Sequence, residues 1–312
     1  MPSPPSPSSS LFDVCIVGAG PAGLNAALVL GRCGRNVLVF DSGQPRNIRS
    51  RALHGFLTRD GTHPVELRAL GRAELAAYPT VQLHDVEVVR ARRIEGHFEI
   101  ELVNGSRFAT RALLLATGRY DRIPELPGFE RFYGRDVHHC PYCDGWEHRG
   151  ETLVVHGRGP DGYREALLLL TWSHAVTLCT DGPDGLDERQ RQRLRDNGIA
   201  VIENRIATLA GGGGDDDRLT AVTFHDRAPL PCGAVFFCGD CVQHSALPRE
   251  LGCEFDADGN IRCDGHAATN VPGLYVAGNV RGGVHLAIVA AAEGAEAAIA
   301  INRALHAARL RE

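Results

Sequence analysis

Residues Phe12 to Gly23 read FDVCIVGAGPAG. The first half is apolar and β-branched and stops at a glycine, the mark of a strand buried on both faces of a parallel sheet. The second half, Gly18 to Gly23, fits G-x-G-x-x-G, and the helical stretch LNAALVLGRCG follows it. A second apolar strand, NVLVF, comes next, with Asp41 directly behind it. Strand, glycine turn, helix, strand and acid together make the complete dinucleotide-binding unit. Gly18 permits the tight turn, Gly20 lets backbone N–H groups approach a pyrophosphate, and Gly23 lets the helix pack on the strand. Pro21 and Ala22 open that helix, whose unpaired N–H groups and partial positive charge suit the anion. Asp41 is placed to accept hydrogen bonds from a ribose.

The pattern recurs. Residues 151–172, ETLVVHGRGPDGYREALLLLTW, again read as strand, glycine motif (Gly157, Gly159, Gly162) and helix, and the strand AVTLCT follows. No acid closes this second strand; Cys179 and Thr180 stand there, and the next arginine along the chain is Arg189. A 2′-phosphate normally calls for arginines at that point. Asp161 also places a negative charge in the turn. Two readings therefore stand for this copy, an NAD(P)H site or a shell without a nucleotide, and NADPH is doubtful.

Between the copies, ALLLATGRYDRIPELPG (112–128) reads as a strand ending in Ala-Thr-Gly and a Pro-rich crossover, so the chain changes domain near Arg119. Later, AVFFCGDC and NVPGLYVAGNVRGG read as strands, the second followed by a Gly-rich turn, and VHLAIVAAAEGAEAAIAINRALHAARL as a long Ala-rich helix. The expected class is α/β, with two Rossmann-like, three-layer ββα nucleotide-binding domains, the second inserted into the first. Residues 210–219, AGGGGDDDRL, read as a polar hairpin tip whose acids form a solvated loop rather than a metal site.

The chain has 312 residues, 44% of them hydrophobic and 23% charged, with a formal net charge of -5. This is a soluble composition that does not call for nucleic acid or an anionic membrane as partner. No basic residue is lysine, which excludes Schiff-base chemistry. Residues 1–10, MPSPPSPSSS, read as a disordered tail without the features of a signal peptide. Glu293 and Glu296 interrupt the most apolar stretch, so no membrane span is expected. Ten cysteines in a chain this long are too dilute for a disulfide scaffold, and a cytoplasmic protein with mostly reduced thiols is expected.

Residues 137–146, VHHCPYCDGW, hold two cysteines with an acid behind them. Such a pair can clip a metal, staple a loop or trade electrons. A second pair, Cys238-Gly-Asp-Cys241, would complete a four-thiolate zinc site, but it ends a strand far along the chain, and no metal is expected. Cys15, Cys33, Cys179, Cys232, Cys253 and Cys263 read as small core or surface residues.

VGAGPAG (17–23), LLATG (114–118), HCPYCDG (139–145), the second glycine motif and NVPGLYVAGNV (270–280) together match a known family. Over almost its whole length the chain resembles the low-molecular-weight thioredoxin reductases and their close relatives. The resemblance implies FAD in a discontinuous first domain, 11–119 and 240–312. It implies an NAD(P)H-binding-like domain, 120–239, that carries a redox disulfide, and a homodimer. By the same resemblance Ala116, Thr117, Gly118, Gly278, Asn279, His285 and Leu286 join the first glycine motif around the flavin. Cys143 faces the flavin, Cys140 attacks the partner's disulfide, and Asp144 moves the proton. His139 precedes the pair and is either a charge that lowers a thiolate pKa or a hydrogen-bonded loop histidine.

PRNIRS, HGFLTRDG and CPYCDGWE are further similar to the dithiol oxidases of disulfide natural-product pathways and to reductase-like paralogues. Asn279 departs from the family's Asp at the flavin's ribityl chain. The resemblance thus implies a flavin-dependent disulfide oxidoreductase acting on a thioredoxin-like protein or a small disulfide. One alternative is a dithiol oxidase using oxygen; another is a non-catalytic flavin redox sensor.

Overall fold

A computed structural model describes residues 11–213 and 217–310. The expected N-terminal tail and part of the acidic hairpin tip lie outside the described residues. The described residues divide into two compact units, 11–48 with 55–120 and 242–310, and 49–54 with 121–213 and 217–241.

The first unit begins with β1 (Leu11–Val17), α1 (Pro21–Arg32), β2 (Val37–Phe40), α2 (Pro64–Leu75) and β3 (Val81–His84). Then come β4 (Val88–Ile94), β5 (His97–Leu102) and β6 (Arg107–Leu115), and the chain leaves through β7 (Arg119–Asp121). The sheet runs β3-β2-β1-β6-β5-β4. β1 pairs parallel to both neighbours, Val14 opposite Val37 on one side and Ala112 on the other.

Both faces of β1 are covered, which is why its sequence is a continuous apolar run. Val14 and Ile16 pack with Leu30, Val37 and Ala297 on the helix side. Cys15 and Val17 point the other way, among Phe98, Ile100 and Phe108. On its edge away from β1, β6 is shared by two strands: Phe108 and Thr110 pair antiparallel to β5, while Leu113 to Leu115 pair parallel to a late strand described below. That division produces the ββα layering.

The second unit continues with α3 (Phe129–Phe132), β8 (Val137–His138), α4 (Pro141–Asp144), β9 (Leu153–His156), α5 (Gly159–Leu169) and β10 (Val176–Cys179). It is completed by α6 (Glu188–Asp196), β11 (Ala200–Ile202), β12 (Ile206–Gly211), β13 (Leu219–Phe224), β14 (Leu230–Pro231) and β15 (Ala234–Phe237). Its parallel sheet runs β11-β10-β9-β15-β8, with β12-β13-β14 a separate antiparallel sheet. Strand order reverses at β9, the point where open α/β sheets form a crevice above the strand ends.

β16 (Cys241–Gln243) leads back to the first unit, which ends with α7 (Leu247–Glu250), β17 (Leu274–Val276) and α8 (Ala287–Arg309). β17 is the late partner of β6, with Leu274 opposite Leu113. α8 lies tightly along α1: a Cβ on Gly294 would run into the Ala22 carbonyl, and Asn25 Nδ2 donates to Ala291 O at 2.7 Å. The alanines of α8 suit this close approach, and no described helix is long and apolar enough to cross a membrane.

Candidate functional site

The first glycine turn is built by strand ends meeting helix starts. Gly18 has φ +104°, a conformation disfavoured for residues with a Cβ, and donates to Phe40 O at 2.7 Å. A Cβ at Gly23 would strike the Gly18 carbonyl, so helix and strand touch through bare backbone. Around Gly20, by contrast, no atom lies within 4 Å of where a Cβ would stand, and no side chain caps α1, which opens at Pro21 and Ala22. The turn is thus packed on its inner side and open on its outer side.

Asp41 is almost fully buried behind β2. Its Oδ1 accepts the Ala19 N–H at 3.2 Å, and its Oδ2 pairs with Arg68 and, at 2.8 Å, Arg72. A buried carboxylate needs such partners. The spacing of Arg68 and Arg72, one helical turn apart on α2, was the signal for them, and sequence reading passed over it.

Ala116, Thr117 and Gly118 follow β6 beside this turn; a Cβ at Gly18 would collide with the Ala116 carbonyl. Among the described residues Thr117 Oγ1 is buried without a hydrogen-bond partner. Gly278 arrives from the far end of the chain, where an added Cβ would sit 3.1 Å from Ala22 Cβ, and its N–H donates to Glu293 Oε2 at 2.7 Å. Burial, opposed by Arg281 and by that bond, raises the Glu293 carboxyl pKa. Asn279 opens a short turn after Gly278, and His285, whose Nδ1 lies 2.8 Å from Arg46 Nη1, precedes Leu286, the uncapped start of α8. An open anion turn, an orphan hydroxyl and two uncapped helix starts fit a large phosphate-bearing cofactor such as FAD.

The second glycine turn is different. Gly157 and Gly162 pack as their counterparts do, within about 3 Å of each other once a Cβ is added. Gly159, however, donates its N–H to Asp184 O at 2.7 Å, and Gly185 lies against it. The loop after β10 thus folds over the turn, held by the buried Asp184, which accepts from Leu186 N–H and pairs with Arg191 at 2.6 Å. Asp161 sits in the first turn of α5, paired with Arg164.

Arginines do reach the end of β10, but from elsewhere in the chain. Arg158 donates to Thr180 O at 2.5 Å and to Asp181 O, and Arg205 lies 3.2 Å from the Asp181 carboxylate. Nearby, burial pushes His156 down to about 4 and, helped by Asp161, pushes Glu165 up to about 7.

Cys140 and Cys143 are joined as a disulfide, their Cα atoms 5.3 Å apart. Pro141 opens the short α4, and Cys140 O accepts from Cys143 N–H and Asp144 N–H at 3.1 and 3.2 Å. Gly145 permits the tight approach of Trp172; a Cβ there would lie 2.7 Å from the indole. Tyr142 stands edge-on to Trp172 and is 68% exposed, and Trp146, under the Arg149 guanidinium, is 64% exposed.

Asp144 Oδ1 lies 3.3 Å from Nδ1 of His138, a buried side chain. Burial alone would raise the Asp144 pKa, but the hydrogen bond and charge of His138, with His139 and His148 behind, hold it below the usual carboxylate value. His139 Nδ1 lies 3.6 Å from Asp121, which also accepts the Tyr133 hydroxyl at 2.8 Å.

Elsewhere, burial raises the thiols of Cys15 and Cys263, pushes Cys179, Cys232 and Cys238 up to about 12 and Cys253 up to about 11. They stay protonated at neutral pH and are poor nucleophiles. Among the described residues no cluster of His, Cys, Asp and Glu is arranged to hold a metal ion.

The family model described as pyridine nucleotide-disulphide oxidoreductase matches residues 12–294. Thioredoxin reductase tcpT of Claviceps purpurea is 34% identical, with 87% of each chain covered. Thioredoxin reductase aclD of Aspergillus oryzae is 30% identical over 94% of this chain and 96% of its own. The crystal structure of HlmI superposes with a TM-score of 0.91 at 38% identity, covering 97% of this chain and 96% of that one.

Proposed function

The chain belongs to the pyridine nucleotide-disulphide oxidoreductase family, and on that premise we propose that it passes electron pairs between FAD and the Cys140–Cys143 disulfide. Through that disulfide it would act on a thioredoxin-like protein or a small disulfide or dithiol. The observation that carries this reading is the disulfide itself, set in a turn with a partly exposed pair of aromatic residues and an acid held by a buried histidine. The family's flavin would supply a two-electron carrier, matched to a disulfide that accepts two electrons and two protons.

In this reading Gly18, Gly20 and Gly23, with the start of α1, bind the cofactor's pyrophosphate, and Asp41 its ribose. Ala116, Thr117, Gly118, Gly278, Asn279, His285 and Leu286 line the rest of the site. Cys140 and Cys143 exchange thiols with the substrate through a mixed disulfide. Asp144 takes the proton from the thiol that becomes the nucleophile and returns it when the dithiol forms again.

The donor follows from the second glycine turn. Its N–H at Gly159 is already bonded to Asp184 O, which favours a substrate dithiol, or a donor other than NADPH, as the source of electrons. The dithiol-oxidase version then needs oxygen to take the pair. A second reading, NADPH-driven reduction, is favoured by Arg158 and Arg205 at the end of β10, where a 2′-phosphate would lie.

Anaerobic titration of the purified protein separates them. Bleaching of the flavin absorbance by a dithiol but not by NADPH or NADH supports the first; rapid bleaching by NADPH supports the second. A protein that takes up no FAD removes both, and a Cys140→Ser variant that keeps full turnover removes the disulfide from the reaction.

A further inference from the structure

The acid behind the disulfide is one end of a line of polar groups. His138, 3.3 Å from Asp144 through Nδ1, turns its Nε2 to within 3.0 Å of His148 Nε2. His148 Nδ1 in turn lies 2.8 Å from Glu151 Oε2. The two histidines are 5% and 3% exposed, whereas the Glu151 side chain is 39% exposed. The line therefore runs from the disulfide turn, through two buried rings, to solvent.

Two imidazole nitrogens facing each other at hydrogen-bond distance hold one proton between them, since two N–H groups or two lone pairs could not bond. Arg135 O also lies 3.0 Å from His138 Nε2, which assigns that proton to His138. The Glu151 carboxylate assigns another to His148 Nδ1. While Asp144 holds a proton, each ring thus carries one on its Glu151 side; once Asp144 is ionised, the His138 Nδ1–H faces it.

We propose that His148 and Glu151 are relay residues that carry the disulfide's proton between Asp144 and solvent. This rests on the role assigned to Asp144 above. A proton leaving Asp144 binds His138 Nδ1, the His138 Nε2 proton moves to His148 Nε2, and the His148 Nδ1 proton moves to Glu151. Three bonds to hydrogen break and three form, one proton crosses, and no electron moves. Disulfide reduction takes up protons and dithiol oxidation releases them. The reverse transfer in the opposite half-reaction therefore resets both rings without turning them over.

Apolar or already engaged groups border the line. Phe236 of β15 lies against both rings. His139 is engaged with Asp121, and Glu147 lies 3.4 Å from His54. The Cys232 thiol, which burial pushes up to about 12 with Asp136 and Glu151 adding to the rise, stays protonated.

The test uses FAD-loaded protein and dithiothreitol as the dithiol. Stopped-flow bleaching is followed from pH 5 to 9 for wild type, Asp144→Asn, His148→Gln, Glu151→Gln and Glu151→Asp. Both His148→Gln and Glu151→Gln are expected to slow the proton-linked step about tenfold, less than the 10²–10⁴-fold of a direct acid–base group, and to shift its pH profile. Glu151→Asp should recover most of the rate. In ¹⁵N spectra Glu151→Gln should move the imidazole signals of His138, which it does not touch.

Because Glu151 is part-exposed, its variants keep the test valid if His148→Gln does not fold. Slow turnover in Asp144→Asn alone, with unchanged rates and profiles in the other variants, overturns the relay and leaves the role of Asp144 standing. Unchanged turnover in Asp144→Asn overturns both.

Discussion

Gly159 gives its N–H to the carbonyl of Asp184 at 2.7 Å, while the equivalent outer face at Gly20 is bare. Two turns that read alike as sequence differ in what covers them. Calorimetric titration of the FAD-loaded protein with NADPH is expected to give no binding heat at millimolar nucleotide. Binding at micromolar concentration would mean the loop over Gly159 yields to a ligand.

The same contrast predicts opposite outcomes at two glycines of the first turn. Gly20 has φ -75°, which alanine adopts, and an added Cβ meets nothing. Gly20→Ala should melt close to the FAD-free wild type and fail to take up FAD. At Gly23 the added Cβ meets the Gly18 carbonyl, so Gly23→Ala should lose about 1–3 kcal/mol of stability or more through overpacking. Melting curves and flavin content of the two variants check this.

Asp144→Asn removes the acid behind the disulfide and keeps its shape. Turnover with a dithiol is expected to fall about 10²–10⁴-fold. Both cysteines should remain able to close the disulfide, which thiol titration before and after reduction measures.

Glu165 is raised by burial to about 7, against an ordinary 4.5. Between those values the folded state binds more protons than the unfolded one, so this group's contribution falls as pH rises from about 4.5 to about 7. Glu165→Gln should therefore stabilise the protein above pH 7 by roughly 1–3 kcal/mol after solvent screening is allowed for, and much less at pH 4. Denaturant unfolding at the two pH values gives the comparison.

Asp144 has the opposite sign. Its carboxyl is held low in the folded protein, so it adds stability above its unfolded value, and that stability is lost as pH falls through the folded value. Asp144→Asn should flatten the acid limb of the unfolding profile below about pH 4.

The fold was legible where residues close in the chain decide it. FDVCIV announced a strand with two buried faces, and the structure shows both core layers on β1. The site was legible only in part. Spacing placed Asp41 directly behind β2, where the structure has it, but the arginine that caps the end of β10 precedes that strand, inside the glycine motif itself, and Arg205 follows a further helix. A reading that looked for arginines just downstream missed both. His138 and His148 share no helical or strand period; a turn and the short α4 lie between them, so only folding brings their rings together.

The open and covered turns also differ in how each unit is held together. Where the chain's own loop fills a turn, the free energy gained is fixed at synthesis. Where a turn binds a dinucleotide, as proposed for the first one, the gain would grow with the logarithm of that molecule's free concentration, about 2.7 kcal/mol at a hundredfold excess over its dissociation constant. When the cofactor is scarce, the first unit therefore loses stability and the second does not. Under the proposed binding, cofactor supply would therefore move the melting of the first unit and leave that of the second in place.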